Sequence, residues 1–243
     1  MIVQGYKTKK VSPGDDLLTI LIASLPKIQN GDIIAVTSKI VSICQGRVVP
    51  DSQDKHELII RESDQYLTGG NQDITLTVKD NILIPNAGID QSNGNGYLIL
   101  WPEHIHKTCA EIWKQLKMTS GVNALGVIIT DSHTTPLRWG TSGIGLSWCG
   151  FDPLKNYIGT PDIFGRKLRV TKANILDGLA AAAVAVMGEG NEQTPLALIR
   201  DVPFVTFRDA PPTQKEIHSL RIPLKKDIYA PILTSVPWRT KDI

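Results

Sequence analysis

The run Ala124 to Thr130 is continuously apolar and predicts a buried strand. It delivers Asp131, Ser132 and His133 to its C-terminal edge, and Arg138 follows after a turn-like Thr-Thr-Pro. A second apolar run, Ile33 to Val36 in GDIIAVTSK, follows an Asn-Gly turn and predicts another buried strand, with Ser38 and Lys39 at its end. Helices are expected in LLTILIASL after the acidic SPGDD turn, in HELIIRES, and from Pro102 along an apolar face of Ile105, Cys109, Ile112, Trp113 and Leu116. An alanine-rich helix is expected from about Lys172 to Met187, with Thr171 as its cap, ending at Gly188 and presenting Glu189 in the GEGNE loop. MIVQGY reads as an opening strand, Asp73 to Leu83 as one strand or two short ones, and PLALIR as a last core strand. From Ala210 onward, prolines and short apolar patches predict an irregular C-terminal extension wrapping the body.

The 243 residues suffice for one substantial core or two small packed subdomains. With 26 Lys plus Arg against 24 Asp plus Glu, the charge is nearly balanced, so no general nucleic-acid footprint is expected. Cys44, Cys109 and Cys149 are odd in number and widely spaced, which argues for buried thiols rather than a disulfide scaffold or a metal knuckle. His104 and His106 are two apart and do not share a helix face, so they are not expected to hold a metal together. Leu17 to Leu25 is too short to cross a bilayer, and no secretory signal is recognisable. The expectation is a cytoplasmic protein with no membrane partner.

Several polar positions allow a chemical and a structural role. Lys9 and Lys10 face phosphate or form a solvated basic turn; Lys39 is a phosphate ligand or a surface residue; Arg47 is a further donor to phosphate or carboxylate. In the Gly- and Asn-rich loop, Asp90 is a cation ligand and Asn93 a nucleotide or phosphate contact, or both form Asx turns. Asp131 and Glu189, joined by another carboxylate, would suit a hard divalent cation holding phosphate oxygens. Asp177 supports the site or caps its helix. The GxxxxGK phosphate loop, the dinucleotide fingerprint and the GxSxG elbow are all missing from the sequence.

The order and spacing of SPGDDL, GDIIAVTSKIVSICQGR, AGIDQSN, IITDSHTTPLRWG, NYIGTPDIFGRKLRVT and the alanine-rich helix followed by MGEG resemble the coenzyme F420-0 gamma-glutamyl ligase family, including its shorter bacterial members assigned to folate metabolism. The resemblance runs from Met1 to about Arg200. It implies an α+β fold of two interlocked mixed subdomains within one domain spanning residues 1–243, and a homodimer. It further implies GTP, or ATP in its place, bound with Mg²⁺ or Mn²⁺, and L-glutamate joined to an acceptor carboxylate through an acyl phosphate. Asp90, Asp131 and Glu189 match the family's metal positions, with Ser132 adding a ligand; Thr8, Lys9, Lys10, Val11, Ser38, Lys39 and Asn93 match its nucleotide contacts. Lys39 would stabilise the transferring phosphate, His133 would orient substrate or move a proton unless it only packs the strand end, and Arg138 would clamp a carboxylate unless it forms a structural salt bridge.

This chain departs from the pattern. TDSHTTPLR stands where better-known members carry a DTFGRPWR-like segment, QGR replaces an EGR-like edge, and TKKV replaces an apolar loop before PGDDL. The acceptor is thereby left open between F420-0 and a folate-like acid. The reading of a different class is a noncatalytic metal–nucleotide binding or regulatory protein.

Overall fold

The computed structural model describes residues 1–68 and 74–241; Asp73, at the head of the expected alternating stretch, lies outside them. The chain opens with β1 (Ile2–Tyr6) and α1 (Leu17–Ser24). Asp16 caps α1, its carboxylate accepting the Thr19 amide at 2.7 Å and so satisfying one of the free donors of the first turn. Next come β2 (Asp32–Thr37), α2 (Ser38–Cys44), β3 (Val48–Pro50) and α3 (Lys55–Glu62). Short strands follow: β4 (Gln65–Tyr66), β5 (Leu76–Lys79), β6 (Ile82–Pro85) and β7 (Tyr97–Ile99). The second half holds α4 (Ile105–Ser120), β8 (Leu125–Thr134), β9 (Thr141–Cys149), β10 (Leu154–Asn156), β11 (Lys172–Asn174), α5 (Ile175–Met187), β12 (Leu196–Arg200), α6 (Gln214–Leu220) and α7 (Ala230–Leu233).

The fold is α+β. Its principal sheet has the order β1-β12-β2-β8-β9 and is antiparallel except where β2 and β8 run parallel at its centre. The continuous apolar runs of β2 and β8 follow from burial on both faces. Ile34, Val36, Val127 and Ile129 point to one side, against Cys109, Trp113 and Leu116 of α4 and Leu21 of α1. Ile33, Ala35 and Ile128 point to the other, against Leu176, Ala180 and Ala183 of α5. Helix α5 lies very close to the sheet because both surfaces are small. A Cβ added at Gly143 would stand 2.3 Å from the Ala180 carbonyl oxygen, and one at Gly145 would stand 2.4 Å from Leu176 Cγ. Asp177 secures the contact by accepting the Gly145 amide at 3.0 Å.

The remaining strands form three smaller sheets, β10-β11, β3-β7 and β4-β5-β6, and a further core of Leu58, Ile59, Ala87, Ile89, Leu98 and Leu100 joins α3 to β7. Trp101, Ile84 and Leu146 join this part to β9.

Four expectations are corrected. Asp131, Ser132 and His133 do not follow the strand but belong to it, because β9 continues pairing past a register shift at Ile129/Thr130 as far as Thr134. Helix α4 starts at Ile105, after His104 turns the backbone left-handed (φ 47°), rather than at Pro102. Lys172 to Asn174 is extended, paired with β10, so α5 begins later and is capped by Asn174, whose side chain accepts the Asp177 amide at 3.0 Å; Thr171 is not the cap. The C-terminal extension is more regular than expected. It contains α6, opened by a Thr213/Glu216 capping box, and returns to β4 through paired Tyr66–Arg239 backbone hydrogen bonds of 2.9 Å each.

Candidate active site

Strand β2 passes directly into α2, so Ser38 and Lys39 occupy the first turn of that helix; Ser38 is buried and Lys39 half-buried. Lys39 reaches across to the loop before β7, where its Nζ lies 2.6 Å from Asp90 Oδ2 and donates to the Ser92 carbonyl and hydroxyl at 3.0 Å each. Asp90 is anchored by reciprocal backbone hydrogen bonds with Ile99 of 3.0 and 2.7 Å. Its Oδ1 also accepts the Ser92 amide at 2.7 Å, so the Asx turn and the charged contact coexist in one residue. Asn93 adopts a left-handed backbone (φ 55°), which asparagine tolerates, and its side chain donates to the Gly190 carbonyl at 2.9 Å.

That last contact brings in the loop after α5. Glu189 Oε1 accepts the Ser132 hydroxyl at 2.7 Å, tying the loop to β8. Gln193 donates to the Thr8 carbonyl at 2.6 Å, tying it to the segment after β1. Asp131, on the neighbouring position of β8, receives the Ser132 amide at 2.8 Å on Oδ1 and the Trp101 indole N–H on Oδ2. Hydrogen-bonded pairs, Lys39 with Asp90 and Ser92, Asn93 with Gly190, Ser132 with Glu189 and Gln193 with Thr8, thus bring three loops together, neighbouring pairs being joined along the chain. Asp131 sits beside Ser132.

A family model described as F420-0:Gamma-glutamyl ligase matches residues 5–201. The chain belongs to that family. It is similar to the coenzyme F420:L-glutamate ligase of Methanopyrus kandleri, at 33% identity over 211 residues that cover 79% of this chain and 83% of that protein. The ligases of the same name from Methanococcus maripaludis strain C7 and Haloarcula marismortui are 31% and 32% identical; they cover 89% and 80% of this chain and 93% and 84% of their own length.

Within this family member the two central carboxyls are shifted in opposite directions. Burial pushes the Asp131 carboxyl up to about 6 against the opposing Ser132 and Trp101 donors, and the negative charge of Asp90 adds to the rise. Burial works in the same direction on Asp90, but the Lys39 ammonium and the Ser92 donors outweigh it and hold Asp90 below the usual carboxylate range. A carboxylate raised by burial and by a second carboxylate is one that a cation would relieve. Asp90, Asp131, Ser132 and Glu189 offer oxygen donors only, the set that Mg²⁺ or Mn²⁺ takes. Among the described residues, no three His, Cys, Asp or Glu side chains already stand close enough to enclose an ion. The donors fit the ion in kind, and they are held in hydrogen-bonded pairs.

Other expected site residues lie apart from this network. Lys9 is turned to Asp15 at 2.6 Å, Lys10 is exposed, and Val11 is half-buried against the α1–α4 core. His133 contacts the carbonyl of its own neighbour, Thr134, at 3.2 Å. Arg138 is exposed at the tip of the β8–β9 hairpin. Arg47 is taken up by Glu62 at 2.8 Å and Glu103 at 3.2 Å. Trp101 was not expected at the site. Its signal was an aromatic between the apolar YLIL run and Pro102, and that pattern does not say which acceptor an indole N–H will find.

Among the described residues, no helix is long and apolar enough to cross a membrane.

Proposed function

We propose that this chain is a ligase that joins the amine of L-glutamate to an acceptor carboxylate, F420-0 or a folate-like acid, at the expense of GTP, or of ATP in its place. The observation that supports this reading most is the linked set Lys39–Asp90 and Ser132–Glu189 beside Asp131, in a chain whose relatives are named coenzyme F420:L-glutamate ligase.

In this reading Asp90, Asp131, Ser132 and Glu189 hold Mg²⁺ or Mn²⁺, which when bound supplies neutralising charge for the triphosphate. Thr8, Lys9, Lys10, Val11, Ser38, Lys39 and Asn93 receive the nucleotide. An acceptor carboxylate oxygen forms a bond to the γ-phosphorus while the bond to the β-phosphate oxygen breaks and the nucleoside diphosphate leaves. Lys39 stabilises the charge on the phosphoryl group in flight. The glutamate amine then attacks the acyl carbon of the acyl phosphate, the carbon–oxygen bond to phosphate breaks, and inorganic phosphate departs. The surplus amine proton leaves to His133 or to water, and Arg138 holds a substrate carboxylate through its guanidinium fork. The protein works as a homodimer, with the exposed hairpin tip covered by a second copy.

Mass-resolved product formation tests this directly. Purified protein is given L-glutamate, Mg²⁺ or Mn²⁺, GTP or ATP, and F420-0 or a folate in parallel. One added glutamyl unit matched by one phosphate identifies the ligase and its acceptor. Binding of metal and nucleotide with no product from any pair would leave a noncatalytic, regulatory binder instead.

A further inference from the structure

Trp101 is gripped on three sides. Its indole edge lies against the backbone of Gly88, where an added Cβ would stand 2.1 Å from Nε1. Lys79 Nζ stands 5.5 Å from the centre of its ring, within cation–π range. Its backbone carbonyl accepts from Arg47 Nε at 3.3 Å. Lys79 and Arg47 are themselves paired with one carboxylate, Glu62, at 2.9 and 2.8 Å. The ring is buried, with 4% of its surface exposed, and its only polar atom points at Asp131 Oδ2.

A buried indole N–H needs an acceptor, and a backbone carbonyl is sufficient. Trp113 uses the Leu125 carbonyl at 2.8 Å, and Trp238 uses the Leu233 carbonyl at 2.7 Å. Trp101 instead donates to an acidic side chain of the candidate site. With the indole on Oδ2 and the Ser132 amide on Oδ1, both oxygens of Asp131 are oriented while each keeps a lone pair for another partner.

We infer that Trp101 is a positioning residue that sets the Asp131 carboxylate for a divalent cation, and that the Glu62–Lys79–Arg47 cluster holds Trp101 in that pose. The inference rests on the cation reading above. Groups behind a metal ligand fix its orientation, and their loss weakens metal binding by about 10- to 100-fold.

The test is a titration with MnCl₂ alone, followed by the electron paramagnetic resonance signal of free Mn²⁺, on wild type, Trp101→Phe, Glu62→Gln and the control Trp238→Phe. Trp101→Phe is expected to raise the Mn²⁺ dissociation constant about tenfold or more, Glu62→Gln to raise it less, and Trp238→Phe to leave it unchanged. A second readout needs no variant. In the wild-type ¹⁵N–¹H spectrum, MgCl₂ should move the Trp101 indole resonance further than those of the other four of the 5 tryptophans. Wild-type Mn²⁺ binding that Trp101→Phe leaves intact, or an indole resonance that Mg²⁺ does not move, overturns this inference and spares the cation reading. A wild type that takes up no Mn²⁺ removes both.

Discussion

The Lys39 ammonium is held 2.6 Å from the Asp90 carboxylate, and the same Asp90 receives both donors of Ser92. The lysine is therefore parked, half-buried, on the edge of the loop that also carries Asn93. On the proposed reading such a group would be preorganised for a transferring phosphate, because little reorganisation is needed when charge arrives. Lys39→Met should lower turnover by about 10²-fold or more while the protein remains folded, since the Asp90 side chain is 43% exposed and water can take over its solvation. Steady-state phosphate release reads the loss. A variant that keeps most of its turnover would exclude Lys39 from phosphoryl transfer.

The close seating of α5 on β9 is a separate, structural claim. Gly143→Ala would drive a methyl into the Ala180 carbonyl and to 2.7 Å from Val184 Cγ2. Backbone cannot yield as a flexible side chain does, so a loss of about 1–3 kcal/mol is expected. Urea denaturation measures it. An unchanged midpoint would mean that helix and sheet stand further apart than described.

Acid sensitivity should trace in part to His106. Its Nδ1 lies 2.8 Å from the Ser147 hydroxyl, and its ring meets Trp148 edge-on at 6.2 Å. Burial holds the imidazole below its ordinary value of 6.5, the positive charge of Arg221 adds to the shift, and Asp80 opposes it. The unfolded chain takes up a proton at His106 that the folded chain resists. This contribution to stability is therefore complete above pH 6.5 and is lost as the pH falls through the lower folded value. The stability gap between wild type and His106→Gln should narrow on acidification across that window. Parallel curves would assign the acid sensitivity to another group.

What could be read from the chain alone depended on how local each cause was. The strands β2 and β8 were legible because burial on both faces leaves an unbroken apolar run. The insertion of β12 between β1 and β2 was not, since pairing of distant strands leaves no local mark. Lys172 to Asn174 looked helical beside so many alanines, yet pairing with β10 overrode that propensity. At the site, Lys39, Asp90, Asn93 and Glu189 stood out as polar groups at strand ends and in Gly-rich loops, the family resemblance added Ser132, and the structure brings them together in hydrogen-bonded pairs. Lys9 shows a local pairing that the sequence did not display. SPGDD supplies two acids; Asp16 caps the helix as such a turn suggests, while Asp15 takes the lysine assigned to phosphate. Trp101 escaped because the identity of its acceptor is set by tertiary packing.

The β8–β9 hairpin ends in Leu137 and Trp139, whose side chains are wholly exposed at 105% and 104%. They flank Arg138, and Leu137 is held at φ 62°, a left-handed conformation uncommon for a leucine. Two large apolar groups projecting from a hairpin tip are costly to leave in water, and aromatic anchors flanked by arginine are the residues that dominate protein interfaces. If a second copy covers them, wild type should sediment at twice the chain mass at micromolar concentration. Leu137→Ser with Trp139→Ser should weaken association by about 10²-fold or more, as loss of a central aromatic anchor does. The fold should be unaffected, because neither side chain packs against its own chain. Analytical ultracentrifugation over a dilution series distinguishes the outcomes: a wild type that stays monomeric, or a double variant that stays dimeric, would remove the hairpin tip from any homodimer contact.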